Sequence, residues 1–220
     1  MKQAFTLIEL LLSISVVAVL MAITMPALNR ARLQARVVAV NAELNQIALA
    51  LEMYMIDNEH NNSRSGQSYP PTRVNCMMQE NYYQLPEELV KGKYLPAPRD
   101  GSWQGAGMQD RFNRGFSYKY VAVGDLIVNL GTIKQNKLWV PDGFPTWDSV
   151  EQGDWYGSPL ASPVTWAVYS IGPRFDEYEM KHNHYPVPKQ TWYDSKKRKG
   201  VIVRMRLKNG RHIGSFQGNP

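Results

Sequence analysis

The start of the chain constrains it most. Leu10 to Met25 reads LLLSISVVAVLMAITM, an unbroken apolar run that is polar only at Ser13, Ser15 and Thr24. Between Lys2 and Arg30 the one charged side chain is Glu9. As a helix, Phe5 to Asn29 spans roughly 37 Å at about 1.5 Å per residue, which covers a hydrocarbon core of about 30 Å. Serine and threonine hydroxyls bond back to helical carbonyls, so they do not break such a span. The segment therefore predicts a membrane helix. The averages conceal this: 220 residues with 44% hydrophobic and 20% charged content describe an ordinary soluble protein.

Three roles compete for the segment: a secretory signal peptide, a plain signal anchor, and a specialised export and assembly signal. Glu9 separates them. An acidic side chain near the bilayer centre costs about 2.5–3.5 kcal/mol on insertion scales, and less toward an end. A signal peptide gains nothing from it, and Ala22, Ala27 and Ala31 offer no clean small-x-small cleavage pattern. Either Glu9 sits near the headgroups or it has a positive partner inside or beside the membrane.

Lys2-Gln3-Ala4 followed by Phe5-Thr6-Leu7-Ile8-Glu9-Leu10-Leu11 resembles the class III signal of type IV pilins and type II secretion pseudopilins. The resemblance implies that a membrane-bound prepilin peptidase cuts between Ala4 and Phe5 and that the new Phe5 amine is methylated. It makes Glu9, fifth from Phe5, the family's signature acid, and Pro26 the proline near the end of the apolar segment. The family usually carries Gly before the cut; this chain has Ala4, which is also small. After cleavage the Phe5 amine is a cation at membrane depth, and the Glu9 carboxylate of a neighbouring subunit can pair with it. An unpaired charge is costly there, so the pair sets axial register more than it adds net stability.

Orientation pulls two ways. Arg30, Arg32 and Arg36 follow the apolar segment, while only Lys2 and the initiator amine precede it. Taken alone, the positive-inside rule puts the following part in the cytoplasm. The resemblance implies the opposite, with the leader cytoplasmic and the arginines continuing a helix.

From Ala27 to Asp57 there is no Gly or Pro, and good helix formers dominate. Val37, Val40, Leu44, Ile47, Leu51 and Tyr54 alternate three and four apart, which is one helical stripe. Arg32, Arg36, Asn41, Glu43, Asn45 and Glu52 are assigned to the opposite side. The stripe predicts the place where a globular domain packs on its own helix; a coiled-coil seam is the weaker alternative over so few heptads. A helix over 5–58 would measure roughly 80 Å, with Pro26 kinking or loosening the preceding turn. The polar cluster Asp57–Ser63 ends it.

Composition then changes. Only Phe5 and Tyr54 of the aromatics precede residue 59, and all 16 glycines follow it. Tyr69-Pro70-Pro71-Thr72, Leu85–Val90 and Lys93-Tyr94-Leu95-Pro96 predict a turn, a short helix and an extended exit, an arrangement similar to the region after the long helix of major pseudopilins. Strands are predicted over 115–123, 125–130, 165–171 and 200–207. Asn209-Gly210 predicts a hairpin turn before Arg211–Phe216.

Trp166–Pro173, Tyr193-Asp194 and Gly200–Arg204 resemble a C-terminal pattern of pseudopilin-like proteins, with Val201 and Arg174 standing where acids are common. In major pseudopilins this side of the sheet holds a structural calcium. The resemblance thus implies Asp176, Glu177, Glu179 and Asp194 as possible calcium ligands; solvated loop acids are the plainer alternative. No other cofactor is implied.

Catalytic chemistry is scarce. One Cys excludes an internal disulfide framework or a CxxC pair. His182 and His184 make a surface pair rather than a zinc site, which normally needs three or four ligands. No P-loop, GxSxG, HExxH or dinucleotide fingerprint is present. The expectation is that the chain is not an enzyme and has no catalytic residues.

The net charge of +6 is unevenly held: residues 181–220 contain ten Lys and Arg and only one acid, Asp194. Lys196, Lys197, Arg198 and Lys199 precede a strand along which Arg204, Arg206 and Lys208 alternate onto one face. With Trp192 and Tyr193 nearby, this region could bind DNA phosphates or acidic polysaccharide; a solvated or filament-paired face is the alternative.

The expected fold class is α+β and pilin-like: a long N-terminal α-helix, membrane-spanning in its first half, packed on a small antiparallel β-sheet with long loops. Expected segments are a leader (1–4), a transmembrane and filament-core half-helix (5–29), an amphipathic half-helix (30–58) and a periplasmic or extracellular globular domain (59–220). The expected function is a structural subunit, processed by prepilin peptidase, that polymerises into a type II secretion pseudopilus or a type IV pilus-like filament. Its expected partners are itself, other pseudopilins, the peptidase and an inner-membrane assembly platform. Before assembly it would be a single-pass inner-membrane protein with its C-terminal domain in the periplasm. Two alternatives stand beside this: a minor pilin that binds DNA or other polyanions through the basic C-terminal region, and a membrane-tethered periplasmic enzyme.

Overall fold

A computed structural model describes residues 7–58, 73–74, 85–97, 108–128 and 132–216. Ala4, Phe5, the Tyr69–Thr72 turn and Cys76 lie outside the described residues.

One helix, α1 (Leu7–Asn58), runs for 52 residues. The chain divides into two compact units at Ala39/Val40, so the boundary falls inside this helix rather than at its end. Within the first unit every described residue from Leu7 to Arg32 is exposed. The hydroxyls behave as the sequence predicts. Ser13 Oγ donates to the Glu9 carbonyl at 2.7 Å, Ser15 Oγ to that of Leu12 at 2.7 Å, and Thr24 Oγ1 to that of Leu20 at 2.9 Å. Pro26 lies inside the helix. Its ring removes one amide donor.

The second unit is α+β. Its largest sheet is four-stranded and antiparallel, in the order β2 (Lys119–Ala122), β7 (Val164–Ser170), β8 (Ile202–Leu207), β9 (His212–Gly214). A smaller sheet pairs β1 (Arg73–Val74), β3 (Gly124–Val128) and β4 (Thr132–Asn136), and a separate ribbon pairs β5 (Leu138–Pro141) with β6 (Gly153–Tyr156). Among the described residues two short α-helices, α2 (Glu87–Lys91) and α3 (Glu177–His182), accompany these sheets.

Alternation along the strands gives the large sheet two different faces. The register puts Val121, Ala167, Met205 and Ile213 in one row. These join Leu138, Val140, Phe144, Met180 and Val187 in an aliphatic core. The neighbouring row is Ala122, Trp166, Arg206 and His212, with Tyr120, Val168 and Arg204 beside it. This second face meets the Val40–Asn58 part of α1. Val40, Leu44, Ile47 and Leu51 are each 0% exposed, and Ala48 and Met55 are buried with them. The predicted stripe is therefore the packing face, at about 1.5–3 kcal/mol for each large side chain fully buried.

Five predicted elements appear within a few residues of their expected limits: α2, β2, β3, β7 and β8. The turn at Lys208-Asn209-Gly210 joins β8 to β9, with Gly210 at φ +83°. The β5–β6 ribbon and α3 were not expected. Gly172 also finds its reason here. At φ +70° it runs so close to β8's approach that an added Cβ would lie 1.9 Å from the Gly200 carbonyl oxygen. The Gly-Pro after β7 and the Gly before β8 are thus two sides of one backbone contact.

Candidate functional site: an apolar helix with one acid, and a domain clamped to its own helix

The first unit presents a helix that is apolar around its whole circumference: Leu7 is 81% exposed, Ile8 77% and Ile23 69%. A helix hydrophobic on all sides needs lipid or other protein around it. Glu9 lies in the first turn of this surface. Its expected partner, the Phe5 amine, lies outside the described residues.

In the second unit, two helix carboxylates fasten α1 to the rest of the unit, Glu43 to the segment leading into β2 and Glu52 to β8 and β9. Glu43 accepts Arg111 Nε at 2.9 Å and also takes the Tyr118 hydroxyl. Burial, then the bond to Glu43, pushes the Tyr118 phenol far above its ordinary range. Glu52 lies 2.8 Å from Arg206 Nε and 3.0 Å from His212 Nε2. Burial lowers the His212 pKa, as do Arg204 and Arg206, against the opposing pull of Glu52. The sequence reading put both acids on the solvent side, and the structure corrects it. Glu43 is three residues after Val40 and four before Ile47, while Glu52 is four after Ala48 and three before Met55. That spacing, legible in the chain, places each on the edge of the buried stripe.

A third acid, Asp110, is 1% exposed. Its Oδ1 accepts Ser170 Oγ at 2.7 Å and the Phe112 amide at 2.9 Å, and its Oδ2 accepts the Ile171 amide at 3.2 Å. Burial raises its pKa against these bonds. It ties the 110–117 loop to the end of β7.

The four acids considered for calcium are spread over two local motifs. Asp176 caps α3, its Oδ1 accepting the Glu179 amide at 3.0 Å. Glu177 pairs with Lys181 at 2.6 Å and Glu179 with Lys199. Asp194 Oδ1 accepts the Lys196 and Lys197 amides at 2.7 and 3.3 Å, which holds its pKa below the usual carboxylate range. Among the described residues no three or more His, Cys, Asp or Glu side chains converge in a metal-like group. The Asp-x-x-Glu spacing at 176–179 is a helix-start signal and marked α3 in the sequence.

The six basic residues fall into two groups. Lys196 and Lys197 are exposed in a tight turn closed by the Asp194–Lys199 bridge, with Arg198 at φ +52°. Lys197 borders a polar groove of about 770 Å³ that includes Glu179, Trp192 and Lys199. Arg204 and Arg206 instead lie half-buried on the helix-facing side of β8, and burial lowers the Arg204 pKa. The structure does not bring the six together on one open face. His182 and His184 likewise part company: His182 stacks on Tyr178 at 6.5 Å and His184 on Trp139 at 4.4 Å.

Comparison with known proteins gives two matches. The prokaryotic N-terminal methylation motif matches residues 1–25. The chain is also 46% identical over 56 residues to the type IV wide pilus major component PilA4 of Thermus thermophilus, a stretch that covers 26% of this chain and 43% of that protein. It thus spans less than half the length of the curated relative it matches. No solved structure matches. The chain therefore carries a prepilin-type signal on a long helix joined to an α+β unit, and these findings support the type IV pilin and pseudopilin family.

Proposed function

We propose that this chain is the structural subunit of a type IV pilus-like filament. The observation that carries the reading is the fully exposed apolar surface of Leu7–Leu28 with its single carboxylate at Glu9. Such a surface suits two successive environments, a bilayer before assembly and the helices of other copies afterwards. In this reading the chain waits in the inner membrane, crossing it once, with residues 40–220 in the periplasm. Prepilin peptidase cuts at Ala4–Phe5, and the methylated Phe5 amine pairs with Glu9 of a neighbouring copy during assembly on a membrane platform. A pilus is favoured over a secretion pseudopilus because the matched relative is a pilus component. The role is structural rather than enzymatic.

Mass spectrometry of the mature protein tests the processing step. The expected product begins at N-methylated Phe5. A start near residue 28 would mean ordinary secretion, and an intact Met1 a mere anchor; either result overturns the reading.

A further inference from the structure

On the far side of the sheet from α1 there is a second, smaller cavity that the filament reading does not use. It has a volume of about 370 Å³, at the small end of the range of roughly 300–1,000 Å³ for ligand cavities. Its wall is apolar and aromatic: Val121, Leu138, Tyr169, Tyr185 and Pro186. Its rim carries Trp155, His184, Lys137 and Lys181, and no carboxylate lines it.

The rings are held in place. Trp139 and Trp155 are cross-strand partners on β5 and β6. His184 lies flat on Trp139 at 4.4 Å and meets Trp155 edge-on at 5.7 Å. Trp139 is 5% exposed and covered, whereas Trp155 is 58% exposed. Trp155 is thus anchored on one side by its strand and by His184 and open to solvent on the other.

We infer that this cavity binds an acidic sugar unit, a hexuronate of an acidic polysaccharide. A pyranose ring has an apolar face of C–H groups that suits the open Trp155 ring. Its carboxylate suits the ammonium groups of Lys137 and Lys181, the second of which is shared with Glu177 at 2.6 Å. Single-stranded nucleic acid fits less well. Its bases stack on successive open rings along a basic track, and here one open indole borders a single compact pocket. The inference does not depend on filament formation.

The test titrates the full chain in detergent with oligogalacturonate at low salt and follows tryptophan fluorescence. The expected result is saturable binding that Trp155→Ala weakens at least tenfold, and that Lys137→Gln weakens severalfold with a smaller salt dependence. Lys196→Gln/Lys197→Gln, in the separate basic turn, should leave it unchanged. Trp155 is exposed, so its removal leaves the fold intact, and circular dichroism checks this. Absence of binding, equal binding of neutral dextran or of an oligo-dT strand, or equal binding by Trp155→Ala overturns the inference.

Discussion

The two parts of α1 have similar apolar content and opposite circumstances. From Leu7 to Arg32 every residue is exposed, with Leu, Ile, Val and Met on all sides. From Val40 onward the apolar residues divide: Val40, Leu44, Ile47 and Leu51 are buried in their own domain, while Leu49, Met53 and Ile56 are 63%, 49% and 67% exposed. Periodicity decides which part can satisfy itself. A stripe needs one partner face, and the chain supplies it. A helix apolar all round needs partners on every side, and a single copy cannot supply them. Folding is thus largely the business of the second part, and in the proposed filament assembly would be that of the first.

The sharpest way to break this contrast is at Glu9. Glu9→Val should leave a processed, membrane-inserted chain with a normally folded domain, yet reduce sheared filament yield close to background. Normal yield would refute the assembly role. The next effect is on stability. Leu44→Ala should destabilise the domain by about 2–5 kcal/mol, whereas Leu12→Ala should change the same unfolding free energy by less than about 0.5 kcal/mol. Both are read by urea titration of the full chain in detergent, and equal effects would erase the division.

A smaller loss is expected at the helix clamps. Glu43→Gln keeps the shape but removes the charge facing Arg111 and Tyr118, and should cost about 1–3 kcal/mol. His212 gives a pH signature. Its folded pKa lies below the ordinary value of about 6.5. Below that pH the unfolded chain takes up a proton that the folded chain resists, so its share of the stability is present above about pH 6.5 and lost as pH falls through the lowered folded value. His212→Gln should flatten the stability profile there; an unchanged slope would show that another group governs it. The smallest effect is expected at the basic turn, where Lys196→Ala with Lys197→Ala should change stability by less than about 0.5 kcal/mol.

Much of this was legible in the chain, for definite reasons. The helix followed from an uninterrupted run of good formers, its packing face from the three-and-four spacing of Val40, Leu44, Ile47 and Leu51, and the β8–β9 turn from Asn209-Gly210. The signal was written in consecutive residues from Lys2 to Leu11. What stayed hidden depends on partners distant in sequence. Glu43 meets Tyr118 75 residues on, and Glu52 meets His212 160 residues on. Arg204 and Arg206 alternate as an exposed basic row would, and only the helix lying over β8 shows that this face is enclosed. The aromatic cavity was hidden for the same reason: Trp139, Trp155 and His184 come from three separate elements.

The two carboxylate clamps have a mechanical consequence. Glu43 and Glu52 stand nine residues apart, or about 13 Å along the helix axis at about 1.5 Å per residue. A pull directed along α1 must slide both past their partners together, along with the buried stripe between them, so tension reaches the sheet in shear. Contacts strained in parallel yield at higher force than contacts opened one after another. A domain fastened in this way resists being stripped from its helix when the helix is what bears the tension.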